Sequence, residues 1–403
     1  MKIIIENRQL HQQTPGLNGK QVLLVGYRRA IVDVLRRLKI PYAVWHDKPV
    51  KRNLNCLRSV AGPFPSQSKQ IREFAEQQFS GFGAFTHVIA GTEAAVYVAS
   101  VCRRALGAQK SKDSIALRCS DKQEMKALMK RHQIPMTDYL TASEVSSMEE
   151  IFERLGSKVV VKQRRNSGGR GLSIATNLAD LAERKERGLL YEKFVEANEL
   201  SIESFVRHGE IKFTSATNYL VKTHLNLVPA NVPASVLEQA QAINQRVVDA
   251  LKLSWGLTHA EFYWNDQHVL FGEIALRPPG GYIMECMSLA HQFDAWEAFV
   301  ANEIDLPYQF PVRTNQTAGV AILHSGAGRI SKILNVEEVR QLPSCVQFKV
   351  LVKPGDWVSA RAGVGEVSAY GLFVSGSERE TVSDLRTCMK TIRFQLEQPD
   401  DLA

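Results

Sequence analysis

Two arms decide the reading: LTHAEFYW over residues 257–264 and, after a short break, VLFGEIALR over residues 269–277. Side chains on a strand point alternately to its two faces. On the first arm His259, Glu261 and Tyr263 therefore share a face; on the second, Phe271, Glu273, Ala275 and Arg277 do. A three-residue turn of Asp266, Gln267 and His268 makes an antiparallel hairpin that sets Glu261 opposite Glu273. Like charges directly opposed across a ladder are destabilising. At about 5 Å and an effective dielectric of ~20 the repulsion is roughly 3 kcal/mol. Apolar residues flank both carboxylates, so the pair calls for a cation. Magnesium or manganese, held by carboxylates and shared with phosphate oxygens, suits this better than a lysine.

Upstream, Lys162 ends a KVVVK strand and runs into QRRNSGGRG, with Gly168, Gly169, Arg170 and Gly171 at its close. A lysine followed by glycines whose backbone N–H groups can close on an anion is a phosphate-gripping arrangement. Its spacing is not that of a P-loop. An ordinary Gly-rich hairpin is the alternative, and Arg164 and Arg165 also read as solvated residues. The third segment is Glu192-Lys193-Phe194-Val195 with Glu199 beyond it. A strand entering a connector exposes backbone groups able to pair with an adenine edge, and Glu199 is placed to accept ribose hydroxyls. An amphipathic edge strand is the plainer reading of the same residues.

The rest of the 403-residue chain is too long for one ordinary core and implies two or three domains. QVLLVG over residues 21–26, strands over 42–46 and 87–90, and intervening helices indicate a parallel, doubly wound sheet in about residues 19–115. Gly26 lacks the G-x-G-x-x-G dinucleotide signature. A helix is expected from Asp121 to His132, and a long one over residues 233–251, with a small mixed domain after Pro311. The net charge is +8, but the basic residues are dispersed and no aromatic-interleaved basic stripe occurs, which argues against nucleic acid. No signal peptide or membrane-length apolar run is present, so a cytoplasmic address is expected. The six cysteines show no C-x-x-C pairing and read as reduced residues.

Taken in order, DKQEMK (121–126) with Ile134-Pro135, VVVKQRRNSGGRGL (159–172), EKFVEANELSIESF (192–205), HAEF (259–262) and FGEIALRPPGG (271–281) resemble the ATP-grasp superfamily. The resemblance covers roughly residues 20–395. It implies an α/β chain in three parts: a Rossmann-like N-terminal domain (1–115), an ATP-grasp domain (116–311, with a small lid lobe at about 135–195) and a small C-terminal α/β domain (312–403). ATP and magnesium (or manganese) are the implied cofactors. Lys122 and Lys162 would contact the phosphates, with Gly168, Gly169 and Arg170 in the lid loop over them. Glu192 and Lys193 would approach the adenine, Val195 would pair with its edge through the backbone, and Glu199 would hold the ribose. Glu261 and Glu273 would carry the metal. Arg277, Gly280 and Gly281 would stabilise an acyl phosphate and the tetrahedral intermediate after it.

One residue departs from the superfamily's pattern. Its usual Glu-x-Asn-x-Arg reads here Glu273-Ile274-Ala275-Leu276-Arg277, and Ala275 cannot ligate a metal. The variant is similar to the amino-acid ligase branch rather than to biotin carboxylase. The implied activity is amide formation between a small carboxylate and an amine, amino acids being the implied partners, with no membrane or nucleic acid. Bicarbonate-activating carboxylase or purine-synthesis chemistry is the alternative, and a nucleotide-binding regulatory protein is an alternative of another class. The oligomeric state is open in the sequence, a homodimer being compatible with base rates. The segments 218–224 and 282–291, flanking the catalytic strands, are the candidate substrate lining.

Overall fold

In the computed structural model, residues 8–50, 53–109, 113–166, 171–182, 188–312 and 315–397 are described. The N-terminal part contains β1 (Val22–Val25), α1 (Arg29–Arg37), β2 (Tyr42–His46), β3 (Ser59–Ala61), α2 (Ser68–Phe79), β4 (His87–Ala90) and α3 (Ala95–Ala105). Its four strands are parallel in the order β3-β2-β1-β4. β1, β2 and β4 are buried along their whole length, which is why they read as unbroken apolar runs rather than alternating ones. Leu24 and Val44 pack with α1 on one face, whereas Leu23 and Trp45 pack with α2 and α3 on the other.

Next come α4 (Asp113–Arg118) and α5 (Lys122–Arg131). Asp121 caps α5, accepting from the N–H groups of Gln123 and Glu124, so Lys122 stands at the first turn. A second sheet follows from β5 (Tyr139–Thr141), α6 (Met148–Leu155), β6 (Val159–Gln163), β7 (Ser173–Ala175), α7 (Leu178–Ala182) and β8 (Leu189–Lys193). Its strands run antiparallel in the order β5-β8-β6-β7. A small core of its own, including Leu140, Ile151, Val159 and Val161, closes the unit.

The remaining elements are β9 (Asn198–Arg207), β10 (Glu210–Val221), β11 (Leu225–Val228), α8 (Ala234–Leu251), β12 (Trp255–Trp264), β13 (Val269–Ala275), α9 (Ile283–His291), α10 (Ala295–Glu303), β14 (Thr317–Leu323), β15 (Gly328–Leu334), α11 (Val336–Arg340), β16 (Cys345–Val350), β17 (Trp357–Val358), β18 (Ala369–Ser375), α12 (Glu378–Thr391) and β19 (Arg393–Leu396). Eight of the strands form one sheet in the order β13-β12-β9-β10-β11-β14-β18-β16. It runs unbroken past residue 312, so its far strands come from the C-terminal segment. One face of β9, β12 and β13 presents Ile202, Ala260, Phe262 and Ile274 to α5 and α8. The other face packs Phe205 and Leu257 on α9 and α10 and carries His259 and Glu261 further along the same strand.

The hairpin register holds at the carboxylates by a route the sequence did not suggest. Glu261 pairs with Glu273 and His259 with Ala275, but nearer the turn Phe262 pairs with Phe271 and Trp264 with Val269. The turn is therefore four residues, Asn265 to His268, not three. Gly272 is the extra residue of a bulge that restores the alignment. A Cβ at Gly272 would lie 3.1 Å from the Glu261 carbonyl oxygen, so glycine suits the close approach. The bulge also turns Phe271 over. It packs in the core with Phe262 rather than on the face of Glu273.

Candidate active site

A cleft of about 190 Å³ opens where the second sheet, the eight-stranded sheet and the loop before α9 meet. It is lined by Lys122, Lys162, Glu199, Glu261, Glu273, Arg277, Gly280 and Gly281 among others. Eight expected residues, drawn from five separate segments, are thus gathered in one place. Glu192, Lys193 and Val195 are not among the lining residues. Lys193 is exposed, and Glu192 is buried beneath the cleft floor. Gly168, Gly169 and Arg170 lie outside the described residues.

Glu192 is the hub of the floor. Its Oε2 lies 3.2 Å from Lys162 Nζ and 3.3 Å from Lys126 Nζ, and accepts from Thr137 Oγ1 at 3.0 Å. Burial works against the charged carboxyl, but the two ammonium groups outweigh it and hold its pKa down at about 2. The attraction acts both ways. Lys162, whose pKa burial alone would lower, is instead kept above the ordinary value by Glu192, with Tyr263 and Glu273 adding to the effect. The carboxylate expected near a base is thus the counter-charge that keeps a cleft-lining lysine protonated and in place.

Lys122 Nζ reaches Glu273 Oε2 at 3.2 Å and donates to the Asn166 carbonyl at 2.8 Å. Arg164 and Arg165, taken as solvated, in fact clamp Asp121. Arg164 Nε donates to Asp121 at 2.8 Å and Arg165 Nε at 3.1 Å. They fasten the loop after β6 to the cap of α5. Glu199 is paired with Lys222.

Glu261 and Glu273 face each other as a pair, but each is also held by a cation. His259 Nε2 lies 3.3 Å from Glu261, and its Nδ1 lies 2.7 Å from Glu203. Glu203 is fully buried and also accepts from Ser201 Oγ at 2.7 Å and Thr217 Oγ1 at 2.8 Å. Burial disfavours a charged imidazole, yet the two carboxylates outweigh it, so the pKa of His259 is raised and that of Glu261 lowered. Among the described residues no group of three or more acidic, histidine or cysteine side chains is placed to hold a metal ion by itself. Two facing carboxylates without a third protein ligand fit an ion that takes its other places from phosphate oxygens and water.

Arg277 Nε donates to Glu93 at 2.7 Å, and its Nη1 to the Pro278 carbonyl at 2.9 Å. Glu93 follows β4, so the N-terminal part sets this arginine's direction. Arg28, from the loop after β1, reaches the Gly91 and Pro279 carbonyls at 3.3 and 3.4 Å and lies over the Trp296 ring. Gly281 has φ +59°, and a Cβ there would meet Asn226 Nδ2 at 2.9 Å. Glycine therefore lets the loop lie against β11, where Asn226 donates to the Gly281 carbonyl. Of the segments proposed for substrate lining, Tyr219, Lys222, Thr223 and Ile283 face the cleft, joined by Val364.

Three functional groups escaped the sequence reading. Lys126 carried a signal, standing four residues after Lys122 and so on the same helix face. Glu203 carried a weaker one, as an acid within an apolar central strand, which requires a partner. Glu93 carried none, because its partner is 184 positions away.

Comparison with known proteins agrees with this geometry. Residues 127–291 match the ATP-grasp domain family. The L-arginine-specific L-amino acid ligase of Bacillus subtilis is 25% identical over 341 residues, covering 78% of this chain and 81% of that protein. A formate-dependent phosphoribosylglycinamide formyltransferase of Methanocaldococcus jannaschii is 23% identical over 248 residues, covering 56% and 60%. Among solved structures, L-amino acid ligase from Bacillus licheniformis superposes with a TM-score of 0.81 at 16% identity, covering 94% of this chain and 99% of that one. N5-carboxyaminoimidazole ribonucleotide synthetase from Thermotoga maritima does so at 0.73 and 18%, covering 94% and 100%. No described helix is long and apolar enough to cross a membrane. With this fold, this cleft and these likenesses, residues 127–291 match an ATP-grasp domain, and the chain is an enzyme similar to the ligases that share it.

Proposed function

We propose that the protein is an ATP-dependent carboxylate–amine ligase that joins small molecules, amino acids first among them, through an acyl phosphate, releasing ADP and phosphate. The observation carrying this reading is that Lys122, Lys162, the Glu261–Glu273 pair, Arg277 and Gly280–Gly281 all line one cleft. The likeness to an arginine-specific amino acid ligase over four-fifths of that protein supports the choice of amine chemistry.

In this reading Lys162, kept charged by Glu192, and Lys122, released from Glu273, hold the phosphates. Glu261 and Glu273 would hold magnesium, which would supply charge neutralisation on the transferring phosphoryl group. A substrate carboxylate oxygen attacks the γ-phosphorus and ADP leaves. Arg277, aimed by Glu93, binds oxygens of the resulting acyl phosphate with its planar fork. The amine nitrogen then attacks the acyl carbon and phosphate departs. The backbone at Gly280, where a Cβ would meet nothing within 4 Å, is open enough to approach the oxyanion closely. The test is ADP and phosphate release from Mg-ATP with single amino acids, amino-acid pairs and, separately, bicarbonate. Release that requires amino acids is expected. Release with bicarbonate alone, and none with amino acids, would overturn the reading in favour of carboxylase chemistry.

A further inference from the structure

Behind the cleft, between the N-terminal part and the hairpin, lies a second cavity of about 250 Å³, room for roughly eight waters. Ala90, Val96, Ala116, Leu253, Leu276 and Phe299 make its walls apolar. Its polar end is a buried ion pair. Arg103 Nη2 lies 3.4 Å from Glu303 Oε2, both residues are at least nine-tenths buried, and Arg103 sits over the Trp255 ring at 5.7 Å. An adjoining cavity of about 220 Å³ shares Ser254, Trp255 and Glu303 with it and is also lined by Asn302. Asn302 is buried too, and its Nδ2 has no hydrogen-bond partner. Buried amides are ordinarily satisfied, so an orphaned donor beside a cavity marks a place where a ligand or water belongs.

The ion pair is costly to bury and loosely made. Charge-assisted contacts usually close to about 2.7–2.9 Å, and a buried pair seldom stabilises a fold more than apolar residues of its size. An anion alone entering here would face Glu303, and a cation alone would face Arg103. A ligand carrying both charges on one carbon satisfies both, its ammonium on Glu303 and its carboxylate on Arg103, while an apolar side chain fills the rest. We propose that this interdomain cavity is a second small-molecule site, separate from the catalytic cleft, that takes an apolar α-amino acid as a zwitterion. Its walls adjoin the machinery at two points. Leu276 precedes Arg277, and Ala90 ends the strand that leads to Glu93. A ligand here bears on the two segments whose contact aims Arg277, as an effector site would.

The test uses the full chain without nucleotide, titrated calorimetrically with L-leucine, with 4-methylpentanoate (no ammonium) and with 3-methylbutylamine (no carboxylate). Wild type and Arg277→Ala are expected to bind L-leucine alike, and each analogue about tenfold or more weaker. Ala116→Phe fills the cavity and Glu303→Gln removes the ammonium's partner; each is expected to weaken L-leucine about tenfold or more. If Ala116→Phe does not give a sharp melting transition, Glu303→Gln carries the comparison. The proposal is overturned if wild type binds no L-leucine. It also fails if binding is lost in Arg277→Ala but kept in Ala116→Phe and Glu303→Gln, which assigns the ligand to the cleft, or if the analogues bind as well as L-leucine.

Discussion

Replacing Glu192 by glutamine leaves shape and one acceptor in place but removes the carboxylate charge between two lysines. At 3.2 and 3.3 Å and an effective dielectric of ~20, each attraction is about 5 kcal/mol before desolvation. Breaking a buried pair by removing one partner costs about 3–5 kcal/mol net. An independent route gives the same scale. A carboxyl held at about 2 in the fold, against about 4.3 in the unfolded chain, corresponds to about 3 kcal/mol. The sign follows from the lowered value: Glu192 stabilises fully above about pH 4.3, and that contribution is lost as pH falls toward 2. Urea unfolding of wild type and Glu192→Gln across this range is the assay. The variant should be less stable by about 3 kcal/mol at pH 7, with the gap closing on acidification. Its KM for ATP should rise about tenfold or more, because Lys162 loses its anchor and counter-charge. Adding Lys126→Met should recover part of the stability, since one of the two uncompensated ammonium groups goes. Equal urea midpoints and equal KM for ATP at pH 7 would refute the argument.

Other outcomes follow from the same geometry. Glu273→Ala should abolish ADP formation, by about 100-fold or more, while melting stays within a few degrees; near-normal turnover would remove it from the metal site. Glu93→Gln should lower kcat about tenfold or more with KM for ATP unchanged, because it frees Arg277 and leaves Lys122 and Lys162 alone; steady-state kinetics decide, and a change confined to KM for ATP would contradict the assignment. Gly272→Val should cost about 1–3 kcal/mol and most of the activity, as its Cβ would press on the Glu261 carbonyl 3.1 Å away; a urea midpoint and an ADP assay on one sample would show both.

Local pattern was enough for much of this protein. Period-two alternation and unbroken apolar runs placed the hairpin and the parallel sheet, and the DKQEMK and FGEIALRPPGG segments resembled one superfamily closely enough to imply its fold. Like charges facing each other across a ladder marked Glu261 and Glu273 as a pair that needs a cation. These are statements about neighbours in sequence or across one turn, which periodicity encodes.

What alternation could not supply was partnership at a distance. The segments 218–224 and 282–291 were named as lining but not placed on elements: Tyr219 and Asn226 reach the cleft from β10 and β11, and Lys222 from the turn between them. The hairpin register came out right at Glu261 for the wrong reason: a longer turn and the Gly272 bulge offset each other, and Phe271 changed face. Glu192 read as a nucleotide contact because its strand looked like an edge. Only packing showed α5 delivering Lys126 beneath it, so that its charge belongs to the protein's own lysines. Glu203 beneath His259 and Glu93 against Arg277 are of the same kind. Away from the bulge at Gly272, alternation along the sequence determines which face a side chain takes on its own element. Which distant charge it then meets depends on how the sheets and helices stack, and a buried charge takes its function from that partner.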